Sequence, residues 1–568
     1  MNISMTTNEI INSDDYIDLV VENTKEIEKL AEEDDYIYSF HVFGEYCIMH
    51  IHKDRFESFL NQMSDRIIYN FPIPLGILDE IGLTESGIEY LHSQPYMQLR
   101  GAGVLIAVID TGIDYLHPAF IHPNNTTKIL RIWDQTVIGK PPEGYYLGHE
   151  YTSEDINVAL QNENPNDIVE HSDTIGHGTA IAGIAAGNDE ANNFIGAAPD
   201  ADLIVVKIKP AKQNFKDHWM IMKEEATVFQ ETDIILAIRY VAKVAIELNR
   251  PVVINLSFGT SNSAHDNTGI GAATLVDIGY RRGFCFISAI GNEGISSHHV
   301  GRVLSEDNTK TDIELKVGEK EKGFCLETWV DAPDIMSVFV TSPMNEFVSM
   351  IPKKTIVNET NTLLMERTEI TIESQLSNFI NGDQVIRIKL KNPTPGIWTI
   401  SFNGQVNLNR KINTWLPIKS WIEDDTFFLD PSPYYSGTSP GTSTSFISAG
   451  AYNHRDGSLY IHSGRGPSRS DNICPDLVAP GVNIRAPWLN NEYNYISGTS
   501  IASAMVAGSA ALLLEWGIVR GNDPSMNTIK LRNYLIRGAR REETISYPNN
   551  IWGYGKLDLF SVFSVMIF

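Results

Sequence analysis

Cysteine is almost missing from this chain. Four residues in 568, Cys47, Cys285, Cys325 and Cys474, lie too far apart to form a CxxC or Cys/His ligand spacing. That excludes a disulfide framework and a zinc-finger-like site, and leaves free, mostly buried thiols as the expectation. Positive charge is scarce too: 44 Lys and Arg stand against 71 Asp and Glu, a formal charge of −27. Nucleic acid and anionic membranes are therefore repelled before any contact is made. The first 35 residues carry 11 acids against two bases and lack the cationic and apolar regions of a secretory signal. A protein synthesised in the cytoplasm without a signal peptide, and kept inside a cell or spore, is expected. Internal repeats and low-complexity tracts are also missing.

What is present is the composition of a folded protein, 42% hydrophobic and 20% charged, in a chain long enough for two to four domains. From Tyr36 to Asn70, YIYSFHVF and YCIMHIH alternate as strands, KDRFESFLNQM has helical spacing and RIIYNF closes as a strand, which makes a small N-terminal α/β unit over residues 1–80. The following FPIPLGILDEIGLTESGIEYLHSQPYMQLRGAG reads as a linker or exposed crossing. Beyond Gly101, continuous apolar runs (GVLIAVID, ADLIVVKIK, PVVINLSFG, FCFISAIG) alternate with the helical patterns TDIILAIRYVAKVAIELN and ATLVDIGYRRG. Strands that are apolar on both faces predict a doubly wound, parallel α/β sheet. Between Gly294 and Ser439 the texture changes to DIELKVG, SVFVTSP, EITIES, QVIRIKLK and GIWTISF with turns between them and no helix, so a β-sandwich is inserted there. The expected α/β domain is thus split, 81–300 and 439–568, around an insert at 301–438.

One stretch, from Tyr493 to Leu514, is free of charge and long enough to cross a bilayer. Its Ser497, Thr499, Ser500, Ser503 and Ser509 and its many small residues suit a closely packed core helix instead, led by a serine. A membrane span is rejected.

Three motifs place a reactive side chain at the end of an α/β element. Asp110 ends the strand in GVLIAVIDTGID, His177 opens a helix in DTIGHGTAIAGIAAG, and Ser500 opens another in ISGTSIASAMVAG. Taken singly, each has a plainer explanation: a turn former, a satisfied structural histidine, a helix cap. Taken together, strand ends and helix starts in such a sheet converge on one crevice, and Asp, His and Ser there point to nucleophilic catalysis.

On VIDTGID, HGTAIAG, SGTSIASAMVAG, INLSFGT and SAIGNEG the chain resembles the subtilisin-like serine proteases, across Gly101–Gly294 and Ser439 to about Gly517. The resemblance implies Asp110, His177 and Ser500 as the triad, with Asn292 and the Ser500 N–H as oxyanion donors. It also implies a substrate strand at Ser257, Phe258 and Gly259, and a P1 wall at Ala289, Ile290 and Gly291. Ala504 and Met505 depart from the family's usual proline and histidine. The chemistry requires no cofactor or metal. The loop GNDEANNFIGAAPDADL nonetheless resembles the family's calcium-binding loop, with Asn188, Asp189 and Asn193 as oxygen ligands.

The N-terminal unit resembles the family's prodomain, an intramolecular chaperone and inhibitor, which implies self-cleavage between Pro74 and Ser93. With the β-insert, identified by the same resemblance as a jelly roll, the architecture looks most like the Csp germination proteases of spore-forming clostridia. That implies a prodomain retained after cleavage and, as substrate, the pro-form of a spore-cortex hydrolase. Two other readings stand beside it: a general intracellular subtilisin, and a pseudoprotease that binds a partner through the same fold.

Overall fold

The computed structural model describes residues 15–22, 24–34, 36–43, 46–63, 69–70, 85–94, 97–266, 278–306, 309–352, 354–378, 381–406 and 408–567. Two compact units divide the chain, residues 1–77 and 78–568.

In the first unit four antiparallel strands lie in the order 37–43, 46–52, 16–22, 69–70. Helices Lys25–Glu33 and Lys53–Met63 accompany them. Val21, Ile27, Ile37, Met49, Ile51 and Phe59 form the core. Strand Tyr16–Glu22 and the first helix fall in the acidic stretch that sequence reading used only for its charge. The helix is ordinary by its own chemistry: the Thr24 hydroxyl caps it by accepting from Ile27 N, Ile27 and Leu30 face inward, and Glu28, Glu32 and Glu33 stay in water. Of the expected strand RIIYNF, only Tyr69–Asn70 is described as one.

The second unit is built on eight strands: β1 Leu105–Asp110, β2 Ile129–Asp134, β3 His149–Thr152, β4 Asp202–Lys207, β5 Val252–Leu256, β6 Phe284–Ala289, β7 Ile447–Tyr452 and β8 Leu477–Pro480. They lie in the order β8-β7-β6-β5-β1-β4-β2-β3. Every neighbouring pair is parallel except β2 and β3, so the sheet is mixed at one edge. Alternate residues of β1 serve opposite faces. Ile106 and Val108 pack with helices His177–Ala186 and Thr499–Leu514, and Leu105, Ala107 and Ile109 pack under helix Glu231–Glu247. Of the helix expected over ATLVDIGYRRG, residues 273–277 lie outside the described residues, Ile278 and Gly279 are helical, and the chain then turns into β6. The apolar run beginning at Thr499 has the length of a membrane span, yet 89% of its best window is buried within the protein.

The segment before β1 departs from the linker expected there. Residues 71–84 lie outside the described residues, but Ile88–Ser93 is a helix whose Ile88 and Leu91, with Leu99 beyond, are fully buried in the same core as the His177 and Ser500 helices. The i, i+3 spacing of Ile88 and Leu91 is a single helical turn, too short to stand out against the polar residues around it.

The insert is an antiparallel sandwich. One sheet runs 299–303, 411–415, 323–330, 384–391, 369–375, 356–362, the other 347–350, 335–341, 396–406, 310–317, 427–428. Between them lie Leu315, Phe324, Val338, Ile388, Trp398 and Phe402. The buried guanidinium of Arg469 ties sandwich to α/β sheet: it pairs with Asp331 and Asp383 of the insert and with Asp266, 2.8 Å away. Three carboxylates around one cation make it hard to replace, because an unpaired buried charge costs far more than the pair gains. Arg469→Met is expected to cost about 3–5 kcal/mol, read as a lowered calorimetric Tm, with Asp383→Asn in the same chain recovering part of the loss.

Candidate active site

Asp110 is the last residue of β1, and the parallel register sets it level with Lys207 at the end of β4. His177 is the first residue of its helix, entered from Gly176, whose φ of 88° a side chain would strain. His177 Nδ1 donates to Asp110 Oδ1 at 2.7 Å. The same oxygen accepts the Thr111 N–H at 2.8 Å. Burial of the imidazole opposes its charge, but the Asp110 carboxylate outweighs burial, and the His177 pKa is raised above its ordinary 6.5. A Cβ on Gly178 would collide with the Gly112 carbonyl and the Asp110 side chain, so only glycine lets this helix start lie against the turn after β1.

Asp173 holds these two pieces together and was missed from sequence. Its Oδ1 accepts from Thr111 Oγ1 (2.9 Å), Ile175 N (3.0 Å) and Gly176 N (2.9 Å), and its Oδ2 from Thr179 N (3.0 Å) and Thr179 Oγ1 (2.8 Å). Burial works against this carboxylate, yet the donors hold its pKa below the usual value. The available signal was an Asp four positions before the His at a helix start, where anions and N–H acceptors are favoured.

Ser500 is the second residue of its helix and 8% exposed. The Asn292 amide is oriented by its own oxygen: Oδ1 accepts from Thr499 N at 3.1 Å and Thr499 Oγ1 at 3.2 Å, which leaves Nδ2 to donate elsewhere. The space beside Gly498 is where these groups meet. An atom in the Cβ position there would lie 3.2 Å from Ser500 Oγ, 3.8 Å from Asn292 Nδ2 and 3.8 Å from Ser500 N. A nucleophile and two donors face one atom-sized volume, the arrangement acyl transfer requires. Among the described residues, His177 makes its side-chain hydrogen bond to Asp110 and none to Ser500 Oγ; the bond between base and nucleophile commonly tightens only around substrate. Ala504 and Met505, where the family differs, are buried in the helix core and touch no reacting group by hydrogen bond; behind the nucleophile, Ser503 Oγ donates to Ser500 O at 2.8 Å.

Ser257, Phe258 and Gly259 continue past the end of β5 outside any ladder, until Thr260 bridges Ser439. Ala289 ends β6 and leads into Ile290 and Gly291. Between these two walls stands Thr438. Its N–H donates to Ile290 O at 2.8 Å, and a Cβ on either Gly259 or Gly291 would strike its side chain. The space between Gly259 and Gly291 is thus filled by a side chain far away in sequence and invisible in the local motifs. His265 braces it, with Nδ1 2.8 Å from Gly437 O, Nε2 3.0 Å from Ser261 O, and its ring stacked on Trp415 of the sandwich at 4.3 Å.

Of Asn188, Asp189 and Asn193, which the calcium resemblance implies as ligands, two are engaged by protein donors. Both Asp189 oxygens accept hydrogen bonds, from Asn192 and from Tyr493 OH, and the Asn193 carbonyl is taken by Arg485. Among the described residues no group of three or more His, Cys, Asp or Glu is placed to hold a metal ion. Cys285, Cys325 and Cys474 are free and buried; the Cys47 side chain lies outside what is described.

This site defines a class: serine peptidases whose reactive groups follow the chain order Asp, His, Ser. The subtilase family model matches residues 101–416 and 430–555, and the chain belongs to that family of subtilisin-like serine proteases. Among solved structures it is similar to the CspB protease of Clostridium perfringens, at 30% identity, with 86% of this chain and 99% of that one covered and a TM-score of 0.74. Among curated proteins it is similar to the C5a peptidase of Streptococcus pyogenes serotype M1, 22% identical over 463 residues, 73% of this chain and 34% of that protein. It is also similar to a subtilisin of Bacillus sp. strain TA39, 29% identical over 213 residues, 37% of this chain and 39% of that protein. The chain thus spans between about a third and two fifths of the length of these curated relatives.

Two outcomes follow from the geometry. Asn292→Ala is expected to lower kcat about 10²–10³-fold with KM little changed, since the amide meets only the developing charge. A histidine that accepts a proton must first be neutral, so its raised pKa places the acid limb of kcat/KM above pH 6.5. Asp110→Asn should move that limb to lower pH and reduce kcat about 10⁴-fold, as stopped-time peptide hydrolysis across pH would read.

Proposed function

We propose that the protein is a serine endopeptidase that cuts its own N-terminal segment and then, by one restricted cut, activates the pro-form of a spore-cortex hydrolase during germination, acting in the spore. The convergence of Ser500 Oγ, Ser500 N and Asn292 Nδ2 beside Gly498 carries the chemical part of this reading. The restricted substrate is supported by the combination of an N-terminal α/β unit and a β-insert, and by similarity to the CspB protease across nearly the whole of both chains.

In the proposed mechanism, the substrate lies extended along Ser257–Gly259, with backbone pairing providing affinity. Ser500 Oγ attacks the scissile carbonyl carbon while its proton passes to His177 Nε2, and Asp110 holds Nδ1–H and stabilises the imidazolium. The carbonyl oxygen, now negative, is held between Asn292 Nδ2 and the Ser500 N–H at the positive end of its helix. Collapse breaks the C–N bond, and the imidazolium returns its proton to the leaving amine. Water, deprotonated by His177 in turn, releases the acyl group and restores Ser500. No cofactor takes part in these steps.

Wild type and Ser500→Ala, expressed in parallel and compared by intact mass and N-terminal sequencing, test the reading. A cut within residues 74–93 in wild type, absent from the variant, is expected. The purified wild type should also shorten the hydrolase pro-form at one bond, with Ser500→Ala leaving it whole. If neither chain is cut and the pro-form stays intact, the fold serves binding alone and the proposal fails. In a P1 peptide library, Thr438→Gly is expected to shift preference toward larger P1 side chains, because it empties the space between Gly259 and Gly291.

A further inference from the structure

The segment from Ala186 to Pro199 joins the His177 helix to β4 and is rich in oxygen atoms, yet four of its carbonyls are already held by cations of the protein itself. At its base the buried Lys128 donates Nζ to Ala186 O and, at 2.7 Å, to Pro199 O, closing both ends of the segment on one ammonium. Burial pushes the Lys128 pKa down to about 8. At its tip Arg485 Nη1 donates to Asn192 O at 3.0 Å and Asn193 O at 3.1 Å. The same guanidinium lies over the Tyr493 ring, 4.0 Å from its centroid, and Tyr493 OH donates to Asp189 Oδ2 at 2.7 Å. Asp189 spends its remaining capacity on Asn192 N and Nδ2.

Calcium needs six to eight oxygens pointed at one centre. Here Asp189 and the carbonyls of Asn192 and Asn193 are taken by protein donors, and Asn188 Oδ1 is the loop's one buried side-chain oxygen without a partner among the described residues.

We infer that the Arg485 guanidinium stands in for a bound cation in this loop, and that Arg485 is thereby a positioning residue for Ser500. Arg485 and Tyr493 stand on the two strands of one hairpin, Ile484–Pro487 paired with Tyr493–Ile496, and that hairpin runs directly into Gly498 and Ser500. The loop they grip is the continuation of the His177 helix. The Arg485 and Tyr493 contacts therefore fasten the chain after one triad residue to the chain before another. A guanidinium is suited to this role because it is charged at every relevant pH, its Nη1 alone reaches both carbonyls, and its flat face lies on an aromatic ring.

The test compares the full wild-type chain with Arg485→Met, by thermal unfolding in excess EDTA and in millimolar calcium chloride and by peptide kinetics. Wild type should unfold at the same temperature in both. Arg485→Met should unfold several degrees lower in EDTA, recover part of that shift in calcium as the freed carbonyls and Asp189 accept the ion, and lose about tenfold in kcat with KM unchanged, because misplacing a reacting group costs rate rather than binding. A wild-type Tm that responds to calcium or EDTA would overturn the inference. So would a variant that matches wild type in stability and rate, or one whose lost stability calcium does not restore at all. Should Arg485→Met fail to fold, Arg485→Lys decides: its charge without the flat face that lies on Tyr493 should lower kcat while leaving the protein indifferent to calcium, and unaltered kcat would reject the positioning role.

Discussion

Everything at this site depends on how closely two helix starts can approach the ends of a sheet. Side chains cannot fill the gaps between the His177 helix, the Ser500 helix and the turn after β1, because those gaps do not exist. Gly178 meets the Gly112 carbonyl, Gly183 meets Pro487, and Gly508 meets Ala197, each without room for a methyl group. Both helices are buried almost throughout and made largely of alanine, glycine and serine. Dense packing of small residues tolerates little relaxation, so the core fixes where the two helix starts lie.

That dependence explains what could be read in the sequence. Asp110, His177 and Ser500 were legible because each sits among the glycines that close approach demands, a local pattern several residues long. The parallel sheet was legible from its uninterrupted apolar strands, and the sandwich from its alternating ones. Asp173 escaped notice because a lone acid in a loop looks like any solvated turn residue until its five donors are in place. Thr438 escaped because the wall it touches lies on the far side of the insert. The helices Lys25–Glu33 and Ile88–Ser93 were hidden in different ways, one by its acidity and one by its brevity. In the oxygen-rich loop, oxygen atoms alone say nothing about which cation they face. Arg485 lies 292 positions from one of the carbonyls it binds, and no local spacing reveals such a pair.

The insert has more than one hold on the α/β sheet. Arg469 is shared between Asp266 and two insert carboxylates, and His265 lies flat on Trp415 while touching the carbonyls of Ser261 and Gly437. The two rings are nearly parallel, 6° apart, so those carbonyls are backed by a stack rather than by solvent. Burial drives the His265 pKa down to about 4, so the ring is neutral at physiological pH and donates to one of its two carbonyls at a time. The sandwich thus backs the Ser261 and Gly437 segments as well as being a domain in its own right.

The chain reaches the donors of the oxyanion space in two visits, first at Asn292 and again, 207 positions later, at Thr499, whose N–H and hydroxyl orient the Asn292 amide. The whole sandwich is synthesised in between. At ribosomal speeds of about 5–20 residues per second, roughly 10–40 s pass with the amide made and its nucleophile not yet translated. During that interval the nascent polypeptide owns an acid, a base and half an anion pocket, and no means of attacking a peptide bond. Placing the insert between Asn292 and Ser500 therefore delays completion of the site until the whole sandwich has been translated.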